Sequence, residues 1–122
     1  MPLKISLKPG ERIIVGGGVI RNDAASTRLV IENRVPVLRA KDILTADEAR
    51  TPARKLYFLI QLMYVDEENL TAHYTAYWPL AHEVAREVEG AEPVVEQVNR
   101  HLFNREYYRA LKCAARLIEL ER

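Results

Sequence analysis

The sequence predicts an α+β protein, in which a small, mostly antiparallel β unit at the N-terminus precedes a helical unit of about four helices. Apolar side chains recur at every second position from Leu3 to Leu44, and after Leu44 they recur with the period of a helix. All nine aromatic residues follow position 56, whereas four of the five glycines lie within the first 18 residues. These observations divide the 122-residue chain into units 1–44 and 45–122.

Five segments of the first unit are predicted to be strands. The segment from Leu3 to Leu7 alternates apolar and polar side chains, as in a half-buried strand, and Pro9-Gly10 marks the turn that follows. Further strands are predicted at 12–15, 19–21, 28–32 and 35–39. Pro36 places the last strand at an edge or a bulge, because proline cannot donate to a central ladder. Several strands are apolar on both faces, so either the helical unit or a second copy of the chain must cover them.

The second unit opens with signals for helix starts. Thr45 to Glu48 is a predicted capping box around a short helical turn, and Thr51-Pro52 supplies an N-cap followed by proline at the first helical position. Helices are then predicted at 53–64, from the acidic run 66–68 to Gly90 with a kink at Pro79, at 92–103, and after an N-cap at Asn104.

The sequence contains no pattern that is typical of a membrane protein or an enzyme. No apolar run approaches the roughly 20 residues that span a bilayer, and the N-terminus lacks a signal peptide, which predicts a cytoplasmic protein. His82-Glu83 begins a zinc-binding motif, but Arg86 stands where its second histidine is required. A lone Cys113 forms no internal disulfide, and Gly16-Gly17-Gly18 precedes a strand rather than a phosphate-binding helix. We expect no metal, no cofactor and no enzymatic activity.

Charge is distributed unevenly along the chain. Residues 1–55 carry 11 lysines and arginines against 6 acidic residues, whereas residues 56–122 carry 7 against 11. A basic β unit is typical of nucleic-acid binding, although basic side chains also solvate small sheets of other functions. Because this half has no aromatic ring on which bases could stack, RNA recognition would depend on guanidinium groups, backbone groups and phosphate contacts.

Long strings of residues in both units are distinctive. They are Pro2-Leu3-Lys4-Ile5-Ser6-Leu7-Lys8-Pro9-Gly10-Glu11-Arg12, Val19-Ile20-Arg21-Asn22, Leu29-Val30-Ile31-Glu32-Asn33, Val37-Leu38-Arg39-Ala40-Lys41-Asp42-Ile43-Leu44, Thr51-Pro52-Ala53-Arg54 and Ile60-Gln61-Leu62-Met63-Tyr64. Together they resemble the FlbT family of flagellar-biosynthesis regulators of alphaproteobacteria. The resemblance implies a post-transcriptional regulator that binds the 5′ untranslated region of flagellin mRNA and alters its translation or lifetime. It also implies FlaF, a small flagellar protein, as a partner.

Two strings are also similar to the RNA-binding regulator CsrA. They are Gly10-Glu11-Arg12-Ile13-Ile14-Val15-Gly16 and Val37-Leu38-Arg39-Ala40-Lys41-Asp42-Ile43. In this comparison Arg39 falls on the arginine that contacts RNA. CsrA is a dimer of interleaved strands, and a dimer of this kind would cover a sheet that is apolar on both faces.

The RNA-binding hypothesis assigns the contacts to basic side chains of the first unit. Lys4 lies on the outer face of the first predicted strand, and Lys8 lies just beyond that strand. The complete set of predicted RNA-binding residues is Lys4, Lys8, Arg12, Arg39 and Lys41. These side chains would form salt-dependent phosphate contacts and base contacts.

The alternative hypothesis is a protein-interaction module. In this interpretation the aromatic and acidic helical unit binds FlaF or flagellin, and any effect on mRNA is indirect. The predicted anchors are Tyr74, Tyr77 and Trp78, because tyrosine and tryptophan concentrate in binding hot spots. The same rings are also consistent with an ordinary core, so the sequence alone leaves both interpretations open.

Overall fold

The computed structural model describes residues 2–122, and the predicted α+β class is confirmed. The chain forms two compact units, one ending at Ile43 and one beginning at Leu44. Leu44 belongs with the helices because its backbone N–H donates to Oε1 of Gln61 (2.8 Å) and its carbonyl accepts from Nε2 of Gln61 (3.0 Å).

Residues 2–43, the described part of the first unit, form five antiparallel strands in two sheets. The strands are β1 (Leu3–Leu7), β2 (Arg12–Val15), β3 (Gly18–Arg21), β4 (Thr27–Ile31) and β5 (Val37–Arg39). One sheet pairs β1 with β4, and the other has the order β3-β2-β5. As predicted from Pro36, β5 lies at an edge and begins directly after this proline, whose carbonyl accepts a hydrogen bond from the Gly16 N–H (2.9 Å).

The core of this unit follows from the period of two in β1. Ile5 and Leu7 are buried and pack with Ile13 of β2, whereas the alternate residues Lys4 and Ser6 are exposed. Partly buried apolar side chains of the other strands surround these three residues: Val15, Leu29, Ile31 and Val37. The glycine run forms the turn between β2 and β3, where Gly16 and Gly17 have φ values of 56° and 89°.

The second unit contains four α-helices. They are α1 (Pro52–Val65), α2 (Leu70–Glu87), α3 (Ala91–Phe103) and α4 (Tyr107–Leu120). Helix α1 contacts α2 and α4, and α3 also contacts α2 and α4, so each helix buries its apolar stripe against two others. Helix α2 continues through Pro79.

Two of the three predicted helix caps are confirmed, and one is wrong. Thr45 and Glu48 form the predicted capping box, and the Thr51 hydroxyl accepts a hydrogen bond from the Arg54 N–H (3.2 Å) at the start of α1. Asn104, predicted to cap the start of the last helix, instead ends α3, because its N–H donates to the Arg100 carbonyl (3.1 Å). Helix α4 therefore begins later, at Tyr107.

Candidate nucleic-acid interface and aromatic groove

The exposed face of the β1–β4 sheet carries two cations. Lys4 lies opposite Val30 and Ser6 lies opposite Arg28, and directly opposed residues of an antiparallel pair project from the same face. All four side chains are exposed, and neither Lys4 nor Arg28 forms an ion pair with any residue of the range 2–122. The sequence analysis did not include Arg28 among the RNA-binding residues. Only the strand register shows that Arg28 and Lys4 lie on the same face.

The three-stranded sheet separates two of the predicted RNA contacts. Arg12 lies opposite Arg21, whereas Arg39 lies opposite Ile13, the neighbour of Arg12 in β2. Because successive residues of a strand point to opposite faces, Arg12 and Arg39 project from opposite faces of this sheet. Arg21 lies 3.7 Å from the Asp23 carboxylate, with both side chains exposed. The five predicted RNA-binding residues therefore do not share one face.

Arg39 and Lys41 come together at a small cavity of the β unit. The cavity has a volume of about 190 Å³, and its lining includes Glu11, Arg39 and Lys41 together with Ile5, Ser6 and Leu7. One carboxylate oxygen of Glu11 accepts a hydrogen bond from the Lys8 backbone N–H (2.9 Å). Residues that carry a guanidinium, an ammonium and a carboxylate thus line one opening, and these groups suit the polar edge of a ligand.

The β unit carries an excess of cations that the described chain does not neutralise. Up to Ile43 there are eight lysines and arginines against four acidic residues. Within residues 2–122, no ion pair involves the side chains of Lys4, Lys8, Arg12, Arg28, Arg39 or Lys41. These side chains are all exposed, so each is accessible to a phosphate.

The helical unit contains a larger cavity, which we call the aromatic groove. It has a volume of about 1020 Å³, and its apolar lining consists of Leu70, Tyr74, Trp78, Leu102, Phe103 and Tyr107. Three charged side chains, Glu67, Arg100 and Arg105, also line it. Phe103 is 88% exposed and Trp78 is 52% exposed. Exposed rings grouped around an apolar groove are typical of an interaction surface.

The structure assigns different positions to the three predicted aromatic anchors. Tyr77 is fully buried, and its hydroxyl donates to Oδ1 of Asn99 (2.6 Å). Tyr74 is partly buried and donates to the Leu102 carbonyl (3.2 Å). Both rings contact Trp78, with centroids 6.3 Å away for Tyr74 and 5.1 Å away for Tyr77. Tyr77 is therefore a core residue that supports Trp78, and of the three only Trp78 and Tyr74 line the groove.

Sequence reasoning missed Phe103 as a surface residue, although a signal was present. The buried face of α3 is formed by Val94, Val95, Val98 and Leu102. Phe103 comes one position after Leu102, which is about 100° around the helix and off this stripe. An aromatic residue that departs from the apolar stripe indicates an exposed ring, and this criterion identifies Phe103.

The contacts of Cys113 and His73 are those of structural residues rather than of catalytic ones. Burial raises the pKa of Cys113, and its Sγ lies 3.9 Å from the Val94 carbonyl. His73 Nε2 is hydrogen bonded to the Asp66 carboxylate (3.1 Å). Within residues 2–122 there is no group of three or more histidine, cysteine or acidic side chains placed to hold a metal ion. No helix in the same range has both the length and the apolar character to cross a membrane.

Comparisons with known proteins agree on one family. The model of the family described as "Flagellar protein FlbT" matches residues 3–122. The "Probable flagellum biosynthesis repressor protein FlbT 1" of Bradyrhizobium diazoefficiens is 44% identical, and the match covers 99% of this chain and 83% of that protein. The "Probable flagellum biosynthesis repressor protein FlbT" of Caulobacter sp. strain K31 is 40% identical, with 99% and 94% covered.

A third relative is the "Flagellum biosynthesis repressor protein FlbT" of Caulobacter vibrioides. It is 41% identical, and the match covers 99% of this chain and 87% of that protein. No solved structure matches the chain. The family model and these three relatives each extend over both the β unit and the four helices, so the chain belongs to the FlbT family of flagellar proteins.

Proposed function

We propose that this protein represses flagellin synthesis by binding the 5′ untranslated region of flagellin mRNA through its β unit. The relatives are named as repressors of flagellum biosynthesis, which supports a regulatory role in flagellar synthesis, and the family is one of regulators rather than enzymes. The observation that carries RNA binding is the set of exposed cations of the β unit, which have no ion-pair partner within residues 2–122. Protein bound to the 5′ untranslated region would lie upstream of the coding region of the mRNA.

The cations divide into two roles by their surroundings. Lys4 and Arg28 lie on an open sheet face, where a lysine and an arginine bind phosphates without reading sequence. Arg39 lines the small cavity together with Lys41 and Glu11, residues that carry hydrogen-bond donors and an acceptor. A base edge needs both donors and acceptors, so we assign base recognition to this cavity and backbone binding to the sheet face.

Titration of labelled RNA against single and double variants tests this division. We expect Lys4→Ala/Arg28→Ala to weaken binding of flagellin 5′ untranslated RNA and of a scrambled RNA equally, and to reduce the salt slope by about 0.7 per lost phosphate contact. We expect Arg39→Ala to lower affinity for the flagellin RNA about 10-fold or more, with a smaller effect on the scrambled RNA.

Arg86→Ala is a matched control for these variants, because Arg86 is an exposed arginine of the helical unit. It should leave both affinities unchanged. Equal affinity of the wild type for the two RNAs, or no loss of binding in the β-unit variants, contradicts the proposal. Circular dichroism of each variant shows whether a loss of affinity comes from a loss of fold.

A second candidate function is a protein-interaction module that binds flagellin or a FlaF-type partner. It is favoured by Trp78, whose half-exposed ring is supported by Tyr74 and Tyr77 in the manner of a binding hot spot. We expect Trp78→Ala to weaken binding of purified flagellin or FlaF about 10-fold or more while RNA affinity is retained. Calorimetry with each purified partner measures this effect. A loss of RNA affinity with unchanged partner binding contradicts this candidate.

A further inference from the structure

We propose that the aromatic groove is the contact between two copies of this chain, related by a two-fold axis, with Phe103 of each copy inserted into the groove of the other. The inference rests on the helical unit alone and does not depend on RNA binding by the β unit. It assigns an occupant to the aromatic groove, an apolar opening of about 1020 Å³. The shape of the groove, its charges and its unpaired side chains each support this occupant.

The groove carries both a protrusion and a depression. Phe103 lies at its edge with 88% of its surface exposed, and beside it the apolar lining of Leu70, Tyr74 and Trp78 encloses part of a cavity of about 1020 Å³. In a two-fold interface the same patch is present on both sides, so the patch must be complementary to itself. A projecting ring next to an opening wide enough for a ring meets this requirement, because two-fold symmetry seats both rings at once.

The groove also carries charges of both signs, so the grooves of two copies can attract each other. Glu67 has the opposite sign to Arg100 and Arg105, and within residues 2–122 none of these three side chains forms an ion pair. Nearby Glu106, in contrast, is hydrogen bonded to His101 (3.1 Å) and forms an ion pair with Arg109 (3.0 Å). Two copies facing each other can pair Glu67 of one with an arginine of the other, and symmetry repeats each pair.

The charge of the helical unit favours a second copy over RNA as the occupant. From Leu44 onward there are 10 lysines and arginines against 13 acidic residues. The helical unit therefore has a net negative charge, which repels the phosphates of RNA. The two groove arginines are instead suited to carboxylates, which the helical unit of a second copy supplies. An apolar centre bordered by charges of both signs is also the usual composition of a protein interface.

Sedimentation equilibrium of the full chain over increasing concentrations, up to about 100 µM, tests the proposal. The wild type should be a dimer. Phe103→Ala should weaken dimerisation on the order of 100-fold, because each dimer loses two inserted rings. Leu120→Ala is a matched control, since Leu120 is an apolar helical residue that is 41% exposed and lies outside the groove lining. It should dimerise as the wild type does.

A charge-reversal experiment tests whether Glu67 of one copy faces the groove arginines of the other. Arg100→Glu/Arg105→Glu should be monomeric on its own, and Glu67→Arg should be monomeric or strongly weakened on its own. An equimolar mixture of the two should form a heterodimer, because opposite charges then face each other across the interface. Lys55→Glu, which reverses an exposed cation of α1 outside the groove, should not affect dimerisation.

The proposal is overturned if the wild type is a monomer throughout, or if it forms a dimer that neither Phe103→Ala nor charge reversal weakens. If the wild type is a monomer and Phe103→Ala weakens binding of flagellin or of RNA, the groove holds that ligand instead of a second copy. RNA titrations of the same variants keep the two proposals distinct: failure of RNA binding does not change the sedimentation result. Circular dichroism establishes that each variant is folded.

Discussion

Replacing Ile13 with alanine is expected to unfold the β unit. Ile13 is fully buried and packs with the buried residues Ile5 and Leu7. Truncation of a buried isoleucine to alanine lowers the free energy of unfolding by about 2–5 kcal/mol. A unit of roughly 40 residues has little stability to lose, because such a small core buries a modest apolar area.

Hydrogen exchange of the strand amides measures this effect directly. Fluorescence does not report on the β unit, since every aromatic residue follows position 56. The matched control is Ile20→Ala: Ile20 lies opposite Ile13 in the β2–β3 pair, but it is 45% exposed. We expect this control to cost less than about 1 kcal/mol. Equal loss of protection in the two variants contradicts the assignment of Ile13 to the core.

Replacing Tyr77 with alanine is expected to lower the free energy of unfolding of the helical unit by about 3–5 kcal/mol, as for other buried aromatic residues. Tyr77 is the largest fully buried side chain, so its loss leaves a cavity between the helices. It also removes the edge-on ring contact to Trp78 and the hydrogen bond to Asn99. Urea unfolding followed by the fluorescence of Trp78 measures the change.

Tyr77→Phe separates the hydroxyl from the ring. Loss of the hydrogen bond to Asn99 should cost about 0.5–1.5 kcal/mol, well below the cost of the alanine variant. Similar losses in the alanine and phenylalanine variants contradict the assignment of the ring to the core, because the effect would then come from the hydroxyl.

The phenylalanine variant should also change the dependence of stability on pH. Burial raises the pKa of Tyr77 above its ordinary value of 10.0. The folded state therefore holds the phenolic proton more tightly than the unfolded state does. The stability that this difference contributes is fully present below pH 10 and is lost as the pH rises above 10. We expect the stability of Tyr77→Phe to decline less steeply above pH 10 than that of the wild type, and equal slopes contradict this expectation.

The two candidate surfaces involve different chemistry in different units. The β unit offers cations and a small polar cavity but no aromatic ring, whereas the helical unit offers exposed rings bordered by charges of both signs. The variants proposed for RNA binding and for dimerisation therefore fall in separate parts of the chain. Each function can be removed by substitutions that leave the residues of the other intact.

The sequence alone determined the class, the number and the order of the elements. The five strands and four helices follow from local signals, which are the period of apolar residues, the glycine run, Pro36 and the Thr51-Pro52 helix start. Such signals depend on a few neighbouring residues, so they can be recognised without knowledge of the fold. Local signals were not sufficient at Asn104, where the predicted N-cap was wrong. The Asn104 N–H donates to the Arg100 carbonyl, so this residue ends α3 instead of starting α4.

The composition of the two candidate surfaces was decided only by the tertiary structure. The register of β1 against β4 places Arg28 beside Lys4, and the register of β2 against β5 sets Arg39 on the face opposite to Arg12. Helix packing buries Tyr77 and leaves Phe103 exposed, although both are aromatic residues of helices. Register and packing depend on contacts between residues far apart in the chain, so no local pattern specifies which side chains meet at a surface.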